Sequence, residues 1–281
     1  YGGDLGLGVN PKLIERINKS DYLILLGGRL SENPSQGFTL FGIPEHNKRV
    51  VHIHPGPEEI GRIYKPHLGI ACSPISFANA LNSVLKGLNT KPSSENEINT
   101  NQAHEEYLEW GNMPLEAPNS GVDLTSAFRS LREKLEPNTI ITNGAGNYAV
   151  WGHRLFRFSQ FGTQLAPISG SMGYGLPAAI AAKLRNPDKT VIALAGDGCF
   201  QMTENEFATA VQYNAAVIVF VVDNEMYGTI RMHQHKNYKG KYKHTGLINP
   251  DFNKLAVAMG GQGYTVNNTE DFMNTFNDAQ D

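Results

Sequence analysis

Strand-like and helix-like hydrophobic periods alternate along most of the chain. Residues 11–19 carry a helical pattern with Pro11 near the first turn. Residues 22–26 are a short apolar run closed by Gly27-Gly28, and 49–54 form a second such run. Over 75–85, Phe77, Ala78, Leu81 and Leu85 recur at helical spacing. Residues 88–120 are polar, rich in Asn, Ser, Glu and Pro, with apolar residues only around Tyr107, Leu108 and Trp110, and read as a linker. From Val122 the alternation resumes: helix over 124–135, strand over 139–142, helix over 176–184, then apolar strands over 190–195 and 215–222. No internal repeat interrupts the order. Strands alternating with helices predict an α/β fold of two three-layer domains with mostly parallel sheets, over 1–87 and 122–281, joined by the linker at 88–121.

Polar strings follow the last two strand-like runs. Gly196-Asp197-Gly198 follows the first and Asp223-Asn224 the second. Between them, Thr203-Glu204-Asn205-Glu206 has the form of a capping box: the Thr203 hydroxyl accepts the Glu206 N–H, and the Glu206 side chain reaches back. Asn214, a residue type that tolerates the left-handed conformation, marks the end of that helix. A right-handed crossover makes the flanking strands parallel and brings Asp197 and Asn224 to one carboxyl edge. Neighbouring strands lie roughly 4.8 Å apart, so both side-chain oxygens can reach one small cation. A carboxylate and a carboxamide, with room for water or phosphate oxygens, suit Mg²⁺.

This arrangement resembles the C-terminal cofactor domain of the thiamine diphosphate enzymes, in particular their acetolactate-synthase-like branch. The family motif is Gly-Asp-Gly, a spacer, then Asn, usually the second of a doublet. Here the spacer is the 25 residues from Cys199 to Asp223, and Asp223 departs from the doublet. The resemblance implies that the Asp197 and Asn224 side chains and the Met226 carbonyl hold Mg²⁺, which grips the cofactor diphosphate. It places Gly196, Gly198, the Cys199 N–H, Tyr227 and Gly228 around that grip. The string Gly170-Ser171-Met172-Gly173-Tyr174-Gly175-Leu176-Pro177 lacks both the Lys-Ser/Thr of a P-loop and dinucleotide glycine spacing. It matches the family segment beneath the cofactor, where the residue at Met172 is an apolar wedge bending the two rings into a V. The carbonyl at Gly170 there accepts a hydrogen bond from the aminopyrimidine. After the strand over 139–142, Gly144, Ala145 and Gly146 are small enough for backbone N–H groups to approach an anion. Acetolactate synthases carry larger polar residues at the positions of Ala145 and Gly146, so contacts there differ.

The resemblance also implies a thiamine-diphosphate-binding fold preceded by an incomplete Rossmann-like middle domain. Tyr1 is not an initiator Met, and the helical pattern over 271–279 is still running where the sequence stops, so the chain reads as a fragment. The glutamate that activates the aminopyrimidine belongs to a pyrimidine-binding domain that the sequence lacks. No catalytic residue is therefore assigned within the chain, and alone it is expected to be inactive. In a complete protein the expected reaction is decarboxylation of a 2-oxo acid followed by C–C bond formation, in a homodimer or homotetramer. A simple 2-oxo acid decarboxylase or lyase is the alternative enzyme, and a non-catalytic FAD- or NAD-binding protein the alternative of another class. Against the latter, the turn after 22–26 lacks the dinucleotide glycines. No residue decides whether FAD occupies the middle domain.

Composition narrows the partners. The 281 residues are 40% apolar and 18% charged, with a formal net charge of −3, which gives no reason to expect nucleic acid or anionic membrane. No apolar run approaches the roughly 20 residues of a membrane span, and no signal peptide is evident. Cys72 and Cys199 form no CxxC pair or framework, which fits a reducing cytoplasm. The Cys199 thiol reads as a small filler rather than a nucleophile. His52 and His54 share one strand face and, without a third ligand, read as structural. The basic stretch over 227–244, with Arg231, Lys236, Lys239, Lys241 and Lys243, is a solvated loop or a contact for a substrate carboxylate.

Overall fold

The chain divides into two units between Asn112 and Met113, and a computed structural model describes residues 1–88 and 91–280. In the first unit Asn10 caps α1 (Pro11–Lys19), its side chain accepting the Lys12 N–H at 3.0 Å. Three parallel strands, β1 (Tyr22–Leu26), β2 (Arg49–His54) and β3 (Leu68–Ala71), lie side by side in that order. The middle strand forms the core, with Val50 and Ile53 fully buried. Ser73 caps α2 (Pro74–Gly87) by accepting the Ser76 N–H. Its apolar stripe is less buried than the helical spacing suggested, with Leu81 41% and Leu85 49% exposed. A three-stranded sheet offers that helix little surface.

The polar stretch read as a linker is mostly a helix, α3 (Ser94–Asn112), within the first unit; Asn89 and Thr90 of that stretch lie outside the described residues. Charges hold it to α1: Arg16 Nε meets Glu106 Oε2 at 2.6 Å, Lys12 Nζ meets Glu109 Oε2 at 3.0 Å, and the Asn10 amide donates to the Glu106 carbonyl at 3.1 Å. A helix docked by polar pairs carries no hydrophobic period, which is why the sequence pattern missed it.

His52 is buried on β2, with Nε2 3.2 Å from the Gly28 carbonyl. Burial holds its pKa below the ordinary histidine value, outweighing the pull of that carbonyl. The unfolded chain binds the proton first as pH falls, so this unit should lose stability as pH drops below about 6.5. Urea denaturation across that range checks this, and His52→Gln should flatten the dependence.

The second unit begins with α4 (Leu124–Lys134) and continues β4 (Ile140–Asn143), α5 (Ala149–Leu155), β5 (Gln164–Leu165), α6 (Gly175–Arg185) and β6 (Val191–Gly196). It ends with α7 (Asp197–Phe200), α8 (Glu206–Gln212), β7 (Ile218–Val222), α9 (Gly228–Asn237), α10 (Phe252–Ala258) and α11 (Thr269–Gln280). The four strands are parallel in the order β5-β4-β6-β7. Every residue of β6 is buried, as a central parallel strand demands. Its Ile192 and Leu194 pack toward Leu131, Leu155 and Phe276, while Ala195 packs with Leu176, Ile180 and Phe200 on the other face. Helices thus cover both faces, giving an α/β architecture with parallel sheets. The outer edge of β7 is open among the described residues, and a cavity of about 1780 Å³ runs along it.

Asp123 starts this unit's first helix. Its carboxylate accepts the N–H of Thr125 at 2.9 Å and the Ser126 hydroxyl at 2.6 Å, and its own N–H reaches Thr269 Oγ1 at 2.8 Å. Burial alone would raise its pKa, but the Ser126 hydroxyl and the two amides hold it below the usual carboxylate range. Asp123→Ala should cost about 1 kcal/mol in urea denaturation at neutral pH. That difference should shrink as pH falls toward 3, where the wild-type carboxylate protonates and loses the same stabilisation.

Two local expectations meet the structure differently. Asn214 does take a left-handed φ of +50° after α8. The capping box does not form: α8 starts at Glu206, the Thr203 hydroxyl donates to the Gly173 carbonyl at 2.8 Å, and the Glu206 carboxylate takes the Thr209 hydroxyl at 2.9 Å. The Thr203 side chain is turned toward Gly173, and the Glu206 N–H bonds the Thr203 backbone carbonyl instead, at 2.9 Å. No helix among the described residues is long and apolar enough to cross a membrane.

Candidate functional site

The strands β6 and β7 end in step. Gly196 pairs with Val222, so Asp197 and Asp223 leave the sheet side by side and Asn224 follows one residue later. Asp197 is only 3% exposed. Its Oδ1 accepts the Gly198 N–H at 2.8 Å, and its Oδ2 accepts the Met226 N–H at 3.2 Å and Asn249 Nδ2 at 2.8 Å. The same Met226 N–H lies 3.2 Å from Asn224 Oδ1, so one amide sits between the two side-chain oxygens. Glu225, at φ +53°, makes the turn that returns the chain to this position.

Every donor to Asp197 is neutral; among the described residues no Lys, Arg or His pairs with it. Burying a carboxylate without a cation is costly, and a divalent ion beside it removes that cost. The available donors are hard oxygens from a carboxylate and a carboxamide, the set that Mg²⁺ accepts. No group of three or more His, Cys, Asp or Glu side chains able to hold a metal exists among the described residues. A cation here therefore needs further oxygens from carbonyls, water or a bound phosphate, as Mg²⁺ commonly takes.

Asn249 is a member of this cluster that sequence reasoning missed. Its Nδ2 bridges Asp197 Oδ2 and Asp223 Oδ1, at 2.8 and 2.7 Å, while Gln201 Nε2 fixes its carbonyl oxygen at 2.9 Å. It arrives on a segment that runs antiparallel past the turn at Glu225, with Tyr227 N–H to the Thr245 carbonyl at 2.9 Å and Leu247 N–H to the Glu225 carbonyl at 2.8 Å. No spacing rule in the sequence marks it.

The glycines around the cluster give clearance to aromatic rings and to backbone. A Cβ at Gly196 would lie 2.9 Å from the Tyr148 ring, and one at Gly198 would lie 2.5 Å from the Tyr227 ring. At Gly228, the first residue of α9, it would lie 3.2 Å from Asn224 Nδ2. Gly144, Ala145 and Gly146 form the loop leaving β4, the next strand across the sheet. A Cβ at Gly146 would meet Tyr148 at 2.6 Å, and one at Gly144 would come within 2.2 Å of Cys199 Sγ. Tyr148 is the common wall of these loops and a second residue that the motifs gave no reason to single out.

Ahead of α6, Gly170 is exposed with a left-handed φ of +68°, and Ser171 is exposed with its hydroxyl 2.9 Å from that of Ser169. Met172 is half-buried and packs against the core that contains Tyr148 and Cys199. Cys199 lies in the short helix α7, buried, its thiol free like that of Cys72. The basic stretch over 227–244 is largely α9 and the turn after it. Its Arg231 lies over the Tyr242 ring at 4.6 Å, and Lys236, Lys239, Lys241 and Lys243 are exposed. His52 and His54 belong to the first unit and bond to backbone groups of Gly28 and Gly56. The structure thus gathers the strand-end residues, the glycine loops and Met172 on one unit, at the carboxyl edge of its sheet.

Comparison with known proteins adds an independent finding. A family model described as the C-terminal TPP binding domain of the thiamine pyrophosphate enzymes matches residues 144–281, and one described as the central domain of those enzymes matches residues 1–81. The acetolactate synthase large subunit of Porphyra purpurea is 27% identical over 266 residues, covering 94% of this chain and 44% of its own length. The mitochondrial acetolactate synthase catalytic subunit of Saccharomyces cerevisiae is 29% identical over 266 residues, covering 91% of this chain and 38% of its own. That of Aspergillus candidus is 44% identical over 129 residues, covering 46% of this chain and 19% of its own. The chain spans less than half the length of these relatives.

Proposed function

The chain belongs to the thiamine pyrophosphate enzymes, and on that premise we propose that it forms the diphosphate- and Mg²⁺-holding half of an acetolactate-synthase-like active site. The observation that carries this is the buried Asp197 carboxylate, held only by neutral donors beside Asn224 at the ends of two parallel strands. Asp197 and Asn224 would ligate the cation through side-chain oxygens, and Met226 through its carbonyl. Gly196 and Gly198 let the Tyr148 and Tyr227 rings close on the strand end beside it, and Gly228 clears the Asn224 amide. The Cys199 amide and the loop Gly144, Ala145 and Gly146 would face the diphosphate. Gly170 and Ser171 would lie under the aminopyrimidine, and Met172 would prop the rings. Thiamine diphosphate held there would supply an electron sink for the decarboxylation of a 2-oxo acid.

In this reading the first unit, with α3 docked on it, is the central domain, and the cofactor domain starts near residue 122, within the second unit. The names of the relatives support a carboligase acting on 2-oxo acids. The rest of the site, including the carboxylate that activates the aminopyrimidine, would come from a further domain within a homodimer or homotetramer. Two free thiols suit a reducing compartment. Calorimetric titration of the chain with thiamine diphosphate tests the reading. Binding that appears with Mg²⁺ and vanishes with EDTA is expected; binding indifferent to the cation would refute the assignment.

A further inference from the structure

Three segments of the second unit meet at one sulfur atom. Cys199 Sγ, on a residue 3% exposed, accepts the Gly173 N–H at 3.1 Å and the Tyr148 hydroxyl at 3.2 Å. Burial pushes the Tyr148 phenol far up, so its O–H remains a donor at any working pH. The Gly173 carbonyl is held as well, by the Thr203 hydroxyl at 2.8 Å. Both polar groups of Gly173 are therefore fixed, and its φ of +82° allows little but glycine. Met172 is the residue just before it.

We propose that Cys199 is a positioning residue for Met172: its sulfur sets the height of the turn over 170–173 above the strand end that carries Asp197. This rests on the cofactor reading only for what Met172 touches; the seating of the turn is a property of the chain itself. The sulfur is more than a filler, because it is the acceptor that two buried donors require. Alanine would leave both donors without a partner, and the donor on the flexible turn is the one free to move. Serine keeps an acceptor but on a shorter bond, so the turn would be drawn inward rather than released.

The test compares Cys199→Ala, Cys199→Val (which fills the space without an acceptor) and Cys199→Ser in the same 281-residue chain. Without ligand, the Gly173 amide should exchange with deuterium about tenfold faster in the alanine and valine variants, as expected for one buried hydrogen bond lost. The Gly198 and Met226 amides should keep their rates, and the Met172 methyl NMR signal should shift and sharpen. With ligand, affinity for thiamine diphosphate with Mg²⁺ should fall about tenfold while affinity for inorganic pyrophosphate with Mg²⁺ holds, and serine should recover most of the loss. A freely exchanging Gly173 amide in wild type, an unmoved Met172 signal, or equal losses for both ligands would overturn the proposal. If wild type binds neither ligand, the cofactor reading falls, and the exchange rates still decide what Cys199 does. The valine variant keeps the comparison open if the alanine cavity prevents folding.

Discussion

Asp197→Ala should abolish Mg²⁺-dependent binding of thiamine diphosphate, with a loss of at least about 100-fold. Residues that merely orient metal ligands already cost 10–100-fold when removed, and Asp197 is the one charged oxygen donor buried in the cluster. Asn224→Ala removes a neutral donor and should cost less, near tenfold. Asp197→Asn retains the side-chain volume while discarding the charge, and it should behave like the alanine variant toward the cation. That pairing separates a charge effect from a packing effect, because both variants lose the charge and only the alanine variant empties the volume beside the amides of Gly198 and Met226. The measurement is a calorimetric titration with and without Mg²⁺, beside thermal unfolding of each ligand-free variant. Wild-type affinity in Asp197→Asn would remove the cation from the site.

The second large effect is expected away from any charge. Gly175→Ala should destabilise the second unit by about 3 kcal/mol, the upper part of the usual overpacking range. A Cβ there would lie 2.9 Å from the Gly144 nitrogen, 3.1 Å from the Asn143 carbonyl carbon and 3.2 Å from the Leu194 oxygen. All three are backbone atoms of β4, β6 and the loop between sheet and site, so no side chain can swing aside. The close approach is what lets the start of α6 sit on the carboxyl edge, anchored by the Thr142 hydroxyl on the Gly175 carbonyl at 2.7 Å. The comparison is Gly87→Ala on α2, where nothing lies within 4 Å and the change should stay within about 0.5 kcal/mol. Urea midpoints for the two variants decide the matter; equal midpoints would show that the sheet edge yields easily.

The sequence by itself determined the α/β class with parallel sheets and the placement of Asp197 and Asn224 at neighbouring strand ends. Those features follow from short continuous apolar runs, from helical periods of 3.6 residues and from the fixed hand of crossovers. The left-handed Asn214 was legible from its residue type at a helix end. Only the tertiary structure decided that α3 is a helix, since charges on Arg16, Glu106, Lys12 and Glu109 dock it in place of a hydrophobic stripe. It likewise gave the Thr203 hydroxyl to Gly173 rather than to its own helix, brought Asn249 between two carboxylates, and set Cys199 and Tyr148 among the site loops. Each of these is a polar contact between segments far apart in sequence. Such contacts have no period, and their partners are fixed only when packing brings the segments together.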